Sequence, residues 1–220
     1  MLEPSALSPE IRRGRRLFYS AVDRDVAAAG GGVSCSTCHV DGRADGRTWT
    51  FADPDGGEPT LRQTPSLAGK VSETAPFTWD GTVTTVANEA ALTSHDRMGG
   101  RGLDREQMTD IAAFVDSIRA PFRGVSGARG RDLFEREDVG CASCHAGPRF
   151  TDGGNHVVLG STAANTPTLT GIAATAPYLH DGSARTLRDV LVWARSGAMG
   201  DTSALDDADL DALEAWLRAL

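Results

Sequence analysis

Cysteine and histidine recur in one fixed arrangement at two places in the chain. The runs are CSTCH at residues 35–39 and CASCH at residues 141–145, and they use all four cysteines of the 220-residue sequence. A Cys-x-x-Cys-His run is the attachment signature of c-type haem, because two thiols add to the vinyl groups of one porphyrin and the adjoining histidine ligates the iron. The sequence therefore predicts two covalently bound haem c groups. The predicted attachment residues are Cys35, Cys38, Cys141 and Cys144, and the predicted iron ligands are His39 and His145.

Two other uses of paired cysteines fit this sequence less well. Zinc ribbons separate their two pairs by about 15–20 residues, whereas Cys38 and Cys141 lie a whole domain apart. A thioredoxin-like dithiol needs a βαβ context, and strand-like alternation is scarce here. Neither alternative explains why a histidine follows both pairs.

The net charge and the amino-acid composition limit the kinds of partner and of core that the protein can have. A net charge of −8 argues against nucleic acid and favours a basic or neutral redox protein as donor or acceptor. No apolar run is long enough to span a bilayer. Hydrophobic residues make up 40% of the chain but aromatic residues only 6%, which is sparse for two cores unless a bulky cofactor fills each one.

An internal repeat organises the chain. Residues 121–220 repeat the pattern of residues 1–120, and Pro and Gly punctuate the segment where the two halves meet. The matched strings are GRRLF (14–18) with GRDLF (130–134), TPSLAG (64–69) with TPTLTG (166–171), and APFTWDG (75–81) with APYLHDG (176–182). The repeat predicts two tandem all-α, cytochrome c-like domains, 1–120 with the first haem and 121–220 with the second, and long loops around each haem.

Each predicted domain closes with an amphipathic helix. Asp104 is predicted to be its N-cap, with Gln107 completing a capping box, and Asp206 takes the same place in the second half. Apolar residues follow both caps at helical spacing. Met108, Ile111, Val115 and Ile118 form the first stripe, and Leu210, Leu213, Leu217 and Leu220 form the second. Further helices are predicted near 9–21, 83–92, 128–136 and 186–194.

These strings carry a resemblance to a known family. Together with FTDGG at 150–154, the repeated TP-x-L and AP-x-x-x-DG strings resemble the bacterial di-haem cytochrome c peroxidase/MauG family over nearly the whole chain. The resemblance implies that electrons pass from a high-potential haem in the second domain to a peroxide-reactive haem in the first, by way of a tryptophan. Trp79 occupies the place of that tryptophan. The resemblance also allows a calcium ion between the domains.

Six side chains remain as candidates for the sixth iron ligands. They are His95, His156, His180, Met98, Met108 and Met199. Met108 belongs to a helix stripe by its spacing, and in the family the residues matching His156 and His180 are usually structural. Met98 and Met199 recur at matching positions, each followed by Gly in a polar loop, and Met/His is a standard haem pairing. We therefore predict Met98 and Met199 as ligands, although both could instead fill gaps beside the haem, and His95 competes with Met98.

The first half departs from the peroxidase pattern. Family peroxidases often carry a displaceable histidine after the first haem motif, but no histidine occurs here between His39 and His95. The family places a glutamate directly before the distal methionine, and Arg97 stands there in this chain. In the second half, Ala194 fills the position usual for the distal methionine, about five residues before Met199.

Two functions follow as alternatives. The first is a di-haem electron-transfer protein with both irons closed by methionine and Trp79 near the route between them. The second is a di-haem peroxidase or MauG-like oxidase that reduces hydrogen peroxide at the first haem, with Asp96, Glu89 or His95 as acid/base. Covalent haem implies a periplasmic or otherwise extracytoplasmic protein, yet the first residues carry no signal peptide. We therefore expect a module of a longer exported chain or an oligomer.

The haem count is directly testable. The intact mass should exceed that of the polypeptide by two haems, and the haem should resist acid–acetone extraction because four thioethers hold it. Cys38→Ser and Cys144→Ser should each impair attachment of one haem and destabilise the surrounding core, as mass spectrometry and thermal unfolding would report. Bound zinc, or haem that extracts freely, would contradict this interpretation.

Overall fold

The computed structural model describes residues 7–51, 59–121, 124–159 and 162–220. The described chain is rich in helix and has little sheet. The helices are α1 (Pro9–Tyr19), α2 (Cys35–Cys38), α3 (Val86–Leu92), α4 (Arg105–Asp116), α5 (Ala128–Glu135), α6 (Leu187–Trp193) and α7 (Asp207–Arg218). The strands are β1 (Thr48–Phe51), β2 (Thr60–Gln63), β3 (Asn155–Leu159) and β4 (Thr162–Asn165).

Helices α1 and α4 form the first core. Phe18 and Phe114 pack edge to face with ring centroids 5.2 Å apart, an arrangement that aromatic pairs prefer. The Arg13 guanidinium donates to both carboxylate oxygens of Asp110, at 2.6 and 2.8 Å. Asp110 is buried within α4, and a buried carboxylate needs such a partner. This ion pair fixes the register of the two helices.

Helices α5 and α7 form the second core in the same way. Phe134 of α5 stacks on Trp216 of α7, with ring centroids 4.5 Å apart. Phe150 adds an edge contact to the same indole at 5.8 Å. Leu210 and Leu213 are almost wholly buried beneath these rings, so the apolar stripe predicted for the closing helix faces the core as expected.

Helix boundaries agree with the sequence patterns to within a few residues. Helix α1 begins at Pro9 as predicted, and α4 begins after Asp104, whose carboxylate accepts from the Gln107 N–H at 2.8 Å while the Gln107 side chain caps Asp104 N. Asp206 likewise accepts from the Asp209 N–H at 2.8 Å. Met108 lies half-buried, less deeply than its spacing predicted. No helix within the described ranges is long and apolar enough to cross a membrane.

Two small antiparallel hairpins were missed by the sequence patterns. Strand β1 pairs with β2, and β3 pairs with β4. They escape detection because each strand is only four or five residues long, and of the four only β1, with the sequence TWTF, alternates between polar and apolar positions. Both hairpins lie between a Cys-x-x-Cys-His run and the loop that carries Trp79 or His180, so they position those loops.

Glycine at two helix crossings allows the closest backbone approach in the fold. A Cβ on Gly14 would lie 1.8 Å from the Asp110 carbonyl oxygen, and one on Gly130 would lie 2.1 Å from the Ala212 carbonyl oxygen. No side chain larger than hydrogen fits such a gap, since methyl groups and oxygens separate by more than 3 Å in packed interiors. Each helix pair can therefore close only with glycine at the crossing.

Alanine at either crossing should separate the helices. Gly14→Ala and Gly130→Ala should each lower the free energy of unfolding by about 2 kcal/mol, even though alanine favours an isolated helix by about 1 kcal/mol. Gly127→Ala is the matched control, because a Cβ there meets no atom within 4 Å. Chemical denaturation would measure all three variants, and equal stability of Gly14→Ala and Gly127→Ala would contradict the close packing.

Candidate functional site

The two Cys-x-x-Cys-His runs adopt related local structures. In the first, α2 makes a single helical turn, so that Cys35 and Cys38 lie three residues apart on one face. In the second, a 3₁₀ turn at Cys141–Ser143 does the same for Cys141 and Cys144. The following histidine donates its backbone N–H to the first cysteine in both runs, at 2.9 and 3.1 Å. All four thiols are free, and burial raises the pKa of Cys35 and of Cys141 to about 11.

Both histidines of these runs are oriented by a backbone carbonyl. Nδ1 of His39 lies 3.0 Å from the Pro65 carbonyl oxygen, and Nδ1 of His145 lies 3.1 Å from that of Phe150. A carbonyl only accepts hydrogen bonds, so Nδ1 carries the proton and Nε2 keeps its lone pair for a metal. Burial lowers the pKa of His39 to about 4 and also lowers that of His145. Both rings are therefore neutral near pH 7.

Met98 lies close to the first attachment run. Helix α3 continues into a π turn at Thr93–Arg97, and Met98 follows it directly. The half-buried Met98 packs against the core cluster that Cys35 also contacts, and its carbonyl accepts from the Ala28 N–H at 2.9 Å. The structure thus brings the predicted sixth ligand to the side of the fold that carries the first attachment run.

Met199 approaches the second run by a different local path. Helix α6 ends in a 3₁₀ turn at Ala194–Ser196, and Met199 is half-buried three residues later. The adjoining Gly200 lies against the attachment run, because a Cβ there would be 3.6 Å from Sγ of Cys141. The Met199 loop therefore lies beside its attachment run, whereas Met98 packs against the same core cluster as Cys35. The first loop follows a π turn and the second a 3₁₀ turn.

The candidate acid/base residues differ in their exposure and in their hydrogen-bond partners. His95 and Asp96 pair with each other at 2.7 Å and are mostly exposed. Glu89 is half-buried, and its Oε1 accepts from Arg97 at 2.7 Å. Its Oε2 is buried and has no hydrogen-bond partner among the described residues. Of the three candidates, only Glu89 keeps a free oxygen inside the fold.

Trp79 lies at the junction between the two halves of the chain. Its indole Nε1 donates to the Gln63 carbonyl at 2.9 Å, and its ring lies 6.4 Å from the His180 ring, edge to face. The Gln63 N–H donates to the His180 carbonyl at 2.7 Å, and the Asn165 N–H donates to the Trp79 carbonyl at 2.9 Å. Each half thus ends a hairpin against the aromatic loop of the other half.

Gln63 and His180 are residues whose roles in this junction the sequence patterns did not indicate. Gln63 is buried, and its Nε2 donates to the Thr175 carbonyl at 3.1 Å, which ties its side chain as well as its backbone across the junction. Burial lowers the pKa of His180, and its Nδ1 is buried without a hydrogen-bond partner in the described part of the chain. The repeat offered one signal, since Gln63 and Asn165 occupy the same place before the TP-x-L string.

A single group of metal-ligand type stands out among the described residues. Cys144, Asp152 and His156 bring their ligand atoms within 4.8 Å of one another. His156 pairs with Asp152 at 2.7 Å. Although burial raises the pKa of Asp152, the Gly154 N–H and His156 lower it to about 2. Calcium prefers six to eight oxygen ligands, so this set does not fit calcium, and the ion stays a prediction of the family resemblance.

Comparisons with known proteins agree with this description. The chain is 27% identical to the methylamine utilization protein MauG of Methylophilus methylotrophus, over 88% of this chain and 74% of that protein. It is 28% identical to the gamma subunit of hydrazine synthase of Kuenenia stuttgartiensis, over 86% and 72%. Residues 164–195 match the family described as RoxA-like, cytochrome c-like.

Solved structures share the fold. A structure of Kuenenia stuttgartiensis hydrazine synthase under xenon matches with a TM-score of 0.81 at 21% identity, over 100% of this chain and 90% of that chain. A MauG-like protein associated with microbial copper homeostasis matches at 0.74 and 21%, over 100% and 91%. The di-haem peroxidase BthA from Burkholderia thailandensis matches at 0.72 and 19%, over 97% and 86%. The sequence matches support the resemblance to the di-haem cytochrome c peroxidase/MauG family, and these solved structures share the fold of this chain.

Proposed function

We propose that this protein is a di-haem c-type cytochrome that transfers electrons between redox partners. The observation that carries the proposal is the junction at Trp79, where aromatic loops from the two halves meet and are held by reciprocal hydrogen bonds. Residues 1–120 and 121–220 are proposed as tandem cytochrome c-like domains, each with one haem. The predicted covalent attachment of haem supports a location outside the cytoplasm, and the likeness to a subunit of hydrazine synthase supports an oligomer or a larger parent chain.

The residues present fit haem c at both runs. Paired free thiols would form the thioethers, and the Nε2 atoms of His39 and His145 are free to ligate iron because Nδ1 is used by a carbonyl. The proposed sixth ligands are Met98, which packs against the same core cluster as Cys35, and Met199, which adjoins the glycine beside Cys141. When bound, each haem supplies a one-electron iron couple whose potential depends on its axial ligands.

The polypeptide contribution to electron transfer is a fixed aromatic contact. Trp79 is held at its indole nitrogen by Gln63 and at its carbonyl by Asn165. His180 faces it from the other half, with its own carbonyl held by Gln63. Because each ring sits on a loop that is bonded to the opposite half, the edge-to-face geometry is set before any partner docks.

The first distal loop is poorly equipped for peroxide chemistry. Cleavage of a peroxide needs an open position and an acid/base group within hydrogen-bond reach. Arg97 stands where the family has its glutamate, and arginine stays protonated. It also donates to Glu89, which ties the nearest carboxylate to a guanidinium. These contacts favour electron transfer over catalysis.

One observation supports peroxide reduction as a second candidate. The buried Oε2 of Glu89 has no partner among the described residues, and a polar group in that condition needs an explanation. If the first haem has an open position, Glu89 would be the residue to hold or move a proton, at Oε2, because it is the candidate that keeps a buried carboxylate oxygen without a partner among the described residues. In that case Arg97 would position Glu89 through its hydrogen bond to Oε1.

Replacement of Trp79 tests the junction. Trp79→Phe should slow electron transfer between the two haems while both ligation states stay intact, and loss of the indole hydrogen bond should cost about 1 kcal/mol of stability. Trp49→Phe is the matched control, since this indole also makes one hydrogen bond, to Asp45 at 2.9 Å, on the β1 strand. Flash photolysis of the half-reduced protein would give the rates. Equal rates in both variants would reassign Trp79 to packing.

The coordination of the two irons and the rate of peroxide turnover distinguish an electron-transfer protein from a peroxidase. The half-reduced protein should show two six-coordinate, low-spin haems and negligible peroxidase turnover, by absorption and paramagnetic resonance spectroscopy. Met98→Ala should open the first iron to small ligands, raise peroxide reactivity only slightly and cost roughly 2 kcal/mol. Met108→Ala, at a half-buried methionine on α4, should leave both spectra unchanged. A five-coordinate first haem with rapid turnover that Glu89→Gln abolishes would establish the peroxidase instead.

A further inference from the structure

The outer face of α1 carries a concentrated positive charge. Arg12, Arg15 and Arg16 are exposed, and within the described ranges none of them forms an ion pair with an acidic side chain. Arg15 instead lies over the Tyr19 ring, with its guanidinium carbon 5.9 Å from the ring centroid. Arg13, between them in sequence, is the member of the run that is neutralised, by Asp110. We call Arg12, Arg15, Arg16 and Tyr19 the α1 basic face.

This face borders a shallow groove beside the first attachment run. The groove has a volume of about 430 Å³ and is lined by Leu7, Arg12, Arg15, Arg16, Tyr19 and Asp41. Asp41 follows His39 by two residues, and α2 packs beside α1. A molecule that fills the groove would therefore lie against the loop that carries the first predicted iron ligand.

We propose that the α1 basic face is the docking surface for an acidic electron-transfer protein. The proposal rests on the function proposed above and names the partner class for the first haem. The net charge of −8 favours a basic or neutral partner for the chain as a whole and repels an acidic one from most of the surface, so the α1 basic face departs from the expectation drawn from net charge. The three unpaired arginines beside the first attachment run make the surface positive there. An acidic partner is therefore attracted to this face and steered into one orientation.

An anionic membrane fits this face less well. Helices that bind a membrane surface insert an apolar face into it, whereas the apolar side of α1, with Leu17 and Phe18, is buried in the protein core. Tyr19 is the one large ring left on the outer side, where it supports Arg15. Asp41 also puts a negative charge on the groove wall, which suits a partner with a matching pattern of charges better than a uniformly anionic surface.

The test uses the haem-loaded protein with an acidic [2Fe–2S] ferredoxin as probe. Binding would be measured by calorimetry at low and high ionic strength, and electron uptake would be followed separately with a photoreduced neutral flavin. The variant Arg12→Gln/Arg15→Gln/Arg16→Gln removes the charge of the face. The control Arg119→Gln/Arg185→Gln/Arg195→Gln removes the same charge at exposed arginines elsewhere.

The α1 variant should bind the ferredoxin about tenfold more weakly at low ionic strength, and the control should stay within about twofold of the unmodified protein. Both variants should accept electrons from the flavin normally. Equal weakening in both variants, or no binding by the unmodified protein, would overturn the proposal. Loss of binding to phosphatidylglycerol vesicles without loss of ferredoxin binding would assign the face to a membrane. If binding of the ferredoxin depends on α1 but the flavin does not reduce the haems, the docking surface is supported and the proposed electron-transfer function is wrong.

Discussion

The arrangement of the site depends on the reciprocal hydrogen bonds at the junction. A hairpin from one half ends at Gln63 and donates to the His180 loop, while a hairpin from the other half ends at Asn165 and donates to the Trp79 loop. Removing either strand end would leave a backbone carbonyl unpaired inside the protein, which is costly. Each loop is thus held by the opposite half in addition to bonds within its own half, such as that from the Trp79 indole to the Gln63 carbonyl. The contact between the two rings therefore depends on both halves.

Because the junction is built from residues far apart in the chain, only the parts of the site that depend on nearby residues could be predicted from the sequence. The cysteines and histidines of both runs could be predicted because haem attachment requires these residue types at one set spacing, which is visible in the chain. The capping residues Asp104 and Asp206 could also be predicted, because each accepts a hydrogen bond from a backbone N–H only three residues later. Gln63 could not be found in that way, because its partners are 16 and 112 residues distant and an amide side chain has many uses.

The hairpins and the buried Asp110 show two further limits of the sequence. Strands of four or five residues are too short for their periodicity to be distinguished from chance. An aspartate in the middle of a helix is normally exposed, and its burial here follows from Arg13, 97 residues earlier. The ligation of the haem irons stays a prediction because it depends on a cofactor. The boundary between the two domains stays a prediction because it depends on the repeat in the sequence.

The π turn before Met98 has a consequence for how the two sites diverge. The hydrogen bonds of a π turn span one residue more than those of an α-helix, so the turn shifts every later side chain around the helix axis. Its counterpart before Met199 is a 3₁₀ turn, whose hydrogen bonds span one residue fewer. The two methionine loops can thus present their side chains from different directions without any change in the cysteines or histidines. Insertion or deletion of a single residue in such a turn is enough to re-aim one methionine while both Cys-x-x-Cys-His runs stay as they are.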